Sequence, residues 1–190
     1  MYPSDVNFLP WFAVYVKYRH EKIAALALRC KGYESFLPTY VKVHRVSKKF
    51  ELPLFPGYVF CRLEASNTLP VLTIPSVLSI IGTGRHPEPI SELDMEGIKR
   101  VVASGLTPCP WPYVSKGQEL RVTSGPLRGI QGVVVDASNE RWLVLSIHLL
   151  HRSVAVKVER ESISLDTIST ATIASDPAPI DTSTRPLKPH

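Results

Sequence analysis

The sequence predicts an α+β chain: a mixed domain built on an antiparallel sheet, followed by a small all-β domain. Three observations carry that prediction. Strand-like and helix-like patterns alternate over the first hundred residues, a proline-dense stretch interrupts them, and beyond it strand signals recur at short intervals with no helix between them. With 190 residues, a hydrophobic fraction of 44% and a charged fraction of 21%, the chain has enough apolar material for a packed core. Wholesale disorder is excluded on that basis. Only ten glycines and no sustained heptad exclude collagen-like and coiled-coil classes.

The segment WFAVYVKY (11–18) is aromatic and β-branched, and reads as a strand. Its alternation puts Trp11, Ala13, Tyr15 and Lys17 on one face, and Phe12, Val14 and Val16 on the other. HEKIAALALRCKG (20–32) follows as a helix, with Ile23, Leu26, Ala27 and Cys30 at helical spacing as its apolar stripe and Gly32 as its stop. FLPTYVKV (36–43) is a strand, HRVSKKF (44–50) a basic loop running into an extended ELPLFP, and a further strand starts at Gly57 with YVFCRLE. A short helix is expected over 67–74, cut by Pro75, and then a strand VLSIIG (77–82). SELDMEGIKRVVAS (91–104) opens on Ser91, carries Glu92 and Asp94 early and Lys99 and Arg100 late, and has a broad apolar stripe. It is a helix with charges suited to its dipole. The order β-α-β-β-α-β-α with short connections folds most simply as a ferredoxin-like α/β sandwich, with helices on one face of the sheet.

Three prolines between 108 and 112 rule out a helix or a central strand and read as a stiff linker. Beyond it QELRVT, IQGVVVDA, RWLVLSIHLL, SVAVKV and ESISL give five short strands, the content of a small barrel. The last 24 residues hold eight Ser/Thr and four Pro without hydrophobic periodicity, and read as a disordered tail. The expected boundaries are 8–105, a linker over 106–116, a barrel over 117–166 and the tail over 167–190.

The net charge is +5, and all of the excess lies in residues 1–60, where nine Lys/Arg face four Asp/Glu. Contact with a polyanion through bulk charge is therefore expected in the first third. Cys30, Cys61 and Cys109 have no metal-ligand spacing, and an odd count suits a reducing compartment. The start lacks a signal-peptide pattern. The uncharged stretch 65–84 contains Pro70, Pro75 and Asn67 and is too polar for a spanning helix, so a soluble cytoplasmic protein is expected.

Two local signatures stand out. In PLFPGYVF (53–60) the prolines hold the backbone extended, Gly57 permits a close turn, and Tyr58 and Phe60 emerge on one face of a strand. In KGQELRVTSGPLRGIQGVV (116–134) a strand meets a turn built from Gly125, Pro126, Leu127, Arg128 and Gly129, and Gly132 precedes the next strand. In order, and joined by a proline-rich linker, the pair resembles the NusG family of transcription elongation factors, the first in its N-terminal domain and the second in its KOW motif. The tight PLFPGYVF form resembles the specialised UpxY- and RfaH-type antiterminators in particular.

The resemblance implies an SH3-like five-stranded β-barrel at the C-terminal end. It also implies an N-terminal domain that binds the clamp helices of RNA polymerase and holds the enzyme in a processive state. By motif position the pocket is Tyr15, Tyr58, Phe60 and Ile80, with Phe55, Met95 and Ile98 beside it; taken singly, each aromatic is equally readable as core. Lys17, Arg19, His20 and Lys22 around the first helix, with Arg45, Lys48 and Lys49 in the basic loop, are the candidates for upstream or non-template DNA, or else a solvated surface. Ser66, Asn67 and Thr68 depart from the polar motif with which specialised relatives touch the opposite jaw. The barrel is implied to recruit ribosomal protein uS10 or Rho, and Leu127, Ile147, Leu149 and Leu150 are either that docking edge or barrel core. A monomer without cofactor or metal is expected.

No enzyme is expected: the six histidines are scattered, and neither a phosphate loop nor a nucleophile elbow occurs. The competing class is a KOW-containing RNA-binding or ribosome-associated protein.

Overall fold

The computed structural model describes residues 9–43, 49–84, 86–114, 119–137, 139–159 and 163–164. Arg45, Lys48, part of the linker and the tail lie outside the described residues.

Strand β1 (Trp11–Val16) is the centre of the first sheet. It pairs antiparallel with β5 (Tyr58–Arg62) on one side and β6 (Val77–Ile80) on the other, and β2 (Ser35–Phe36) extends the sheet beyond β5. The strand expected over 36–43 is broken at Pro38. Its second half, β3 (Thr39–Val43), leaves the sheet and forms a separate two-stranded hairpin with β4 (Lys49–Pro53). Proline lacks the amide donor needed to continue a ladder, which explains the break. A second small hairpin, β7 (Gly82–Thr83) with β8 (His86–Pro87), follows β6.

Trp11, Phe12, Ala13 and Val14 are all fully buried, so both faces of β1 must be covered. Helix α1 (Glu21–Cys30) and the short α2 (Leu69–Leu72) cover the face of Phe12, Val14 and Val16. Helix α3 (Glu92–Ala103) packs with Trp11 and Ala13 on the opposite face. The expectation of helices on one face is corrected, because a strand apolar on both sides cannot leave one side to water.

The stripe expected to anchor α1 is also corrected. Ala24, Ala25, Leu28 and Glu21 are buried, whereas Ile23 and Leu26 are 59% and 60% exposed. Paired alanines let the helix axis approach the sheet closely, and that gain outweighs burying the bulkier residues on the other side.

The five strands expected beyond residue 117 form as β10 (Glu119–Val122), β11 (Gln131–Ala137), β12 (Glu140–Ile147), β13 (Arg152–Lys157) and β14 (Ile163–Ser164). A sixth, β9 (Cys109–Trp111), comes from the proline-rich stretch and pairs with β13 at the sheet edge. That stretch is thus partly strand and not only linker, since prolines are tolerated on an edge where amides need no partner. The order is β14-β10-β11-β12-β13-β9, and among the described residues no ladder joins its two ends.

Candidate functional site

The PLFPGYVF segment makes its turn as the residue types require. Gly57 has φ +84°, and a Cβ there would sit 3.2 Å from Tyr15 Cε2, so glycine is needed both for the turn and for the ring lying against it. The Tyr58 amide donates to the Phe55 carbonyl at 3.1 Å, and the Val16 amide to the Gly57 carbonyl at 2.8 Å. The Gly57 amide donates to Glu21 Oε1 at 2.9 Å. Glu21 is a buried carboxylate in the first turn of α1, and it ties that helix to the turn. Sequence reasoning missed this role; the only signal was an acid in a helix's first turn.

Tyr15 and Tyr58 stand directly opposite each other across β1 and β5, their ring centroids 5.4 Å apart. Tyr15 is 40% exposed and Tyr58 half-buried, so the pair forms an aromatic surface. Phe55 and Phe60, edge to face at 5.3 Å, are fully buried in the same cluster as Met95 and Ile98. These four support the tyrosines from within and do not form a surface. Ile80 is placed elsewhere: it pairs with Val14 and packs against the α1 side of the sheet. Its neighbour Ile81 packs with the cluster that carries Tyr58. Alternation shifts the apolar residue on that face by one position.

The basic candidates Lys17, Arg19, His20, Lys22 and Lys49 are all exposed. A tight turn precedes α1: Arg19 has φ +63°, and the His20 amide donates to the Lys17 carbonyl at 3.0 Å. The Arg19 guanidinium lies 5.6 Å from the Tyr18 ring centroid. Lys22 pairs with Glu51, whose second oxygen accepts from Thr39 Oγ1 at 2.8 Å. Those two bonds, Lys22 first, hold the Glu51 carboxyl below the usual range. The pair brings the start of α1 beside the β3–β4 hairpin, and it also neutralises the Lys22 charge.

In the second sheet Gly125 and Gly129 have φ of +75° and +87°, which explains both glycines of the turn. The Gly129 amide donates to the Val122 carbonyl at 2.7 Å and the Arg128 amide to the Gly125 carbonyl at 3.1 Å. Leu127 is buried while Pro126 and Arg128 are exposed. Ile147 and Leu150 are buried and Leu149 half-buried against the core, so the expected docking edge is largely interior.

Helix α3 is also the seam between the two sheets. A Cβ on Gly97 would lie 2.7 Å from Leu145 Cδ2, which marks a close approach of the helix to β12. The Arg100 guanidinium donates to the Arg128 carbonyl. Beside this seam a cleft of about 510 Å³ is lined by Asp94, Arg100, Glu119, Arg121 and His148 among others. Among the described residues no helix is long and apolar enough to cross a membrane.

Comparison with known proteins adds the following. The family described as "Transcription termination factor nusG" matches residues 9–99. A transcription termination/antitermination protein NusG from Pasteurella multocida is 31% identical over 134 residues, 66% of this chain and 73% of that protein. The protein of the same name from Helicobacter pylori strain J99 is 28% identical over 138 residues, 69% of this chain and 78% of that one. A solved structure described as a domain interaction in Thermotoga maritima NusG covers 84% of this chain and 97% of its own, with 18% identity and a TM-score of 0.49.

Proposed function

This chain belongs to the NusG family, and from that premise we propose that it is a cytoplasmic transcription elongation and antitermination factor that binds RNA polymerase. The observation that carries the reading is the partly exposed Tyr15–Tyr58 pair, set against a glycine turn inside the matched segment. Two rigid rings over a packed base supply apolar area at low entropic cost, which suits capture of a helix tip such as those of the polymerase clamp. Phe55, Phe60, Met95 and Ile98 stiffen that base.

The compact PLFPGYVF turn supports assignment to the specialised UpxY/RfaH-type branch. The exposed cluster of Lys17, Arg19 and His20 lies close in sequence to Tyr15, and supports contact with upstream or non-template DNA once polymerase is engaged. The second sheet, charge-neutral over 117–166, supports a protein-recruiting role toward ribosomal protein uS10 or Rho.

The test is Tyr15→Ala combined with Tyr58→Ala. Polymerase binding should fall by tenfold or more while the circular dichroism spectrum stays native, because neither side chain is fully buried. A folded double variant that binds polymerase undiminished overturns the assignment. Scoring the same pull-down for ribosomes separates this reading from a ribosome-associated one.

A further inference from the structure

Helix α1 leaves uncovered the stripe that its sequence offers as a core face. Ile23, Leu26, Ala27 and Cys30 recur at i, i+3, i+4 and i+7, yet Ile23 and Leu26 are 59% and 60% exposed. Cys30 is exposed as well, and Ala27 is half-buried. Lys31 ties the end of α1 to α2, donating to the Pro70 carbonyl at 2.9 Å and to Thr73 Oγ1 at 3.3 Å. That short helix exposes Leu69 and Leu72 in turn. A lone exposed leucine is ordinary, but large apolar side chains gathered on two adjoining helices mark a docking surface. The charges on the outer side of α1 have one sign. Its only acid, Glu21, is buried against the Gly57 turn. Arg29 and Lys31 are exposed and, among the described residues, bonded only to neutral acceptors: Arg29 to the Ala25 carbonyl, Lys31 to Pro70 and Thr73.

We propose that the Ile23–Leu26–Cys30 stripe seats an acidic amphipathic helix of a partner protein. Anchors at i, i+3, i+4 and i+7 are the spacing by which one helix packs along another. Glutamates beside the partner's apolar seam compensate the charges of Arg29 and Lys31. A second copy of this chain is disfavoured, since a two-fold contact through α1 sets those cations against themselves. A lipid surface is disfavoured too, because α1 lacks the aromatic side chains that anchor an interfacial helix. Helix α1 covers the Phe12, Val14 and Val16 side of the first sheet, whereas Tyr15 belongs by alternation to the other face. The stripe therefore does not depend on polymerase binding, and both partners can be held at once.

The probe is a fluorescein-labelled peptide of about 18 residues, long enough to hold a helix, with leucines at alternating three- and four-residue spacing and glutamates between them. Its lysine analogue and a scrambled sequence are the controls, and the full chain is the titrant in fluorescence anisotropy. The acidic helix should bind at least about tenfold tighter than either control, and Leu26→Glu should remove that advantage. Arg29→Glu combined with Lys31→Glu should reverse the preference toward the lysine analogue, which a merely structural role of these residues does not produce. An acidic helix bound no tighter than its scrambled control, or bound equally well by Leu26→Glu, overturns the proposal. A dimer in sedimentation that Leu26→Glu returns to monomer overturns it in favour of a second copy. Phosphatidylglycerol vesicles that retain the parent but not Leu26→Glu overturn it in favour of a lipid surface. Polymerase pull-down by Leu26→Glu should match the parent, and its loss from a folded variant overturns the separation of the two partners.

Discussion

Asp94 sits in the first turn of α3 and lines the cleft between that helix and the second sheet. Burial pushes its carboxyl above the usual range; Glu119 adds to the push and His148 opposes it. A raised folded value means that the folded chain favours the protonated acid. The associated stability is full below the ordinary aspartate pKa of about 3.9, and it is lost as pH rises through the higher folded value. Asp94→Asn should therefore raise the melting temperature at neutral pH by about 2 °C, a small effect because the group is only half-buried. It should also flatten the loss of stability as pH rises from the ordinary aspartate value through the raised one; thermal melts from acid to neutral pH check both. Cys61 is pushed much further, to about 12, chiefly by burial, and stays a thiol. Glu21 makes the complementary point at this scale. Its position in a first turn is visible in sequence, but its bond to the Gly57 amide, 36 residues away, exists only once α1 is folded against the turn.

At the scale of elements, α1 shows how a pattern can name a helix without naming its buried face. Apolar residues surround α1, so periodicity alone admits more than one stripe. Packing selects Ala24, Ala25 and Leu28. Leu28→Ala should cost about 3 kcal/mol in denaturant unfolding, while Leu26→Ala should stay within about 0.5 kcal/mol. Equal losses at the two positions would mean that α1 presents its other face to the sheet. The tyrosine pair was more legible, because period-two alternation places Tyr15 and Tyr58 on defined faces and the glycine fixes the turn between β4 and β5. Ile80, carried over by motif position, lies on the other face, since the entry of β6 into the sheet depends on its register with β1, and that ladder is irregular between Tyr15 and Val16.

At the scale of the molecule, a single hydrophobic cluster runs from Trp11 and Phe60 through α3 to Leu145 and Val154 of the second sheet. The two sheets are thus joined by packing as well as by the chain between them. Gly97 is a point of close approach in that join, where a Cβ would meet Leu145 Cδ2 at 2.7 Å. Gly97→Val should push Leu145 away and uncouple the sheets. Solution scattering should then give a larger radius of gyration, and nuclear relaxation a separate tumbling time for each half, with both halves still folded. An unchanged radius would show that the seam tolerates the added bulk.

Composition and pattern by themselves determined the α+β class, the order of the main strands and helices, the charge excess in the first third and the two glycine-centred turns. Each of these is local, set by backbone preference and short-range periodicity. Tertiary structure decided which faces are buried: the alanine side of α1, the interior position of Phe55, Phe60, Met95 and Ile98, and the exposure of Phe50 on a hairpin split off at Pro38. It also decided that the proline-rich stretch supplies an edge strand and that α3 is shared between two sheets. The physical reason is common to all of them. Burial depends on what a second, distant segment brings to a face, and no local pattern carries that information.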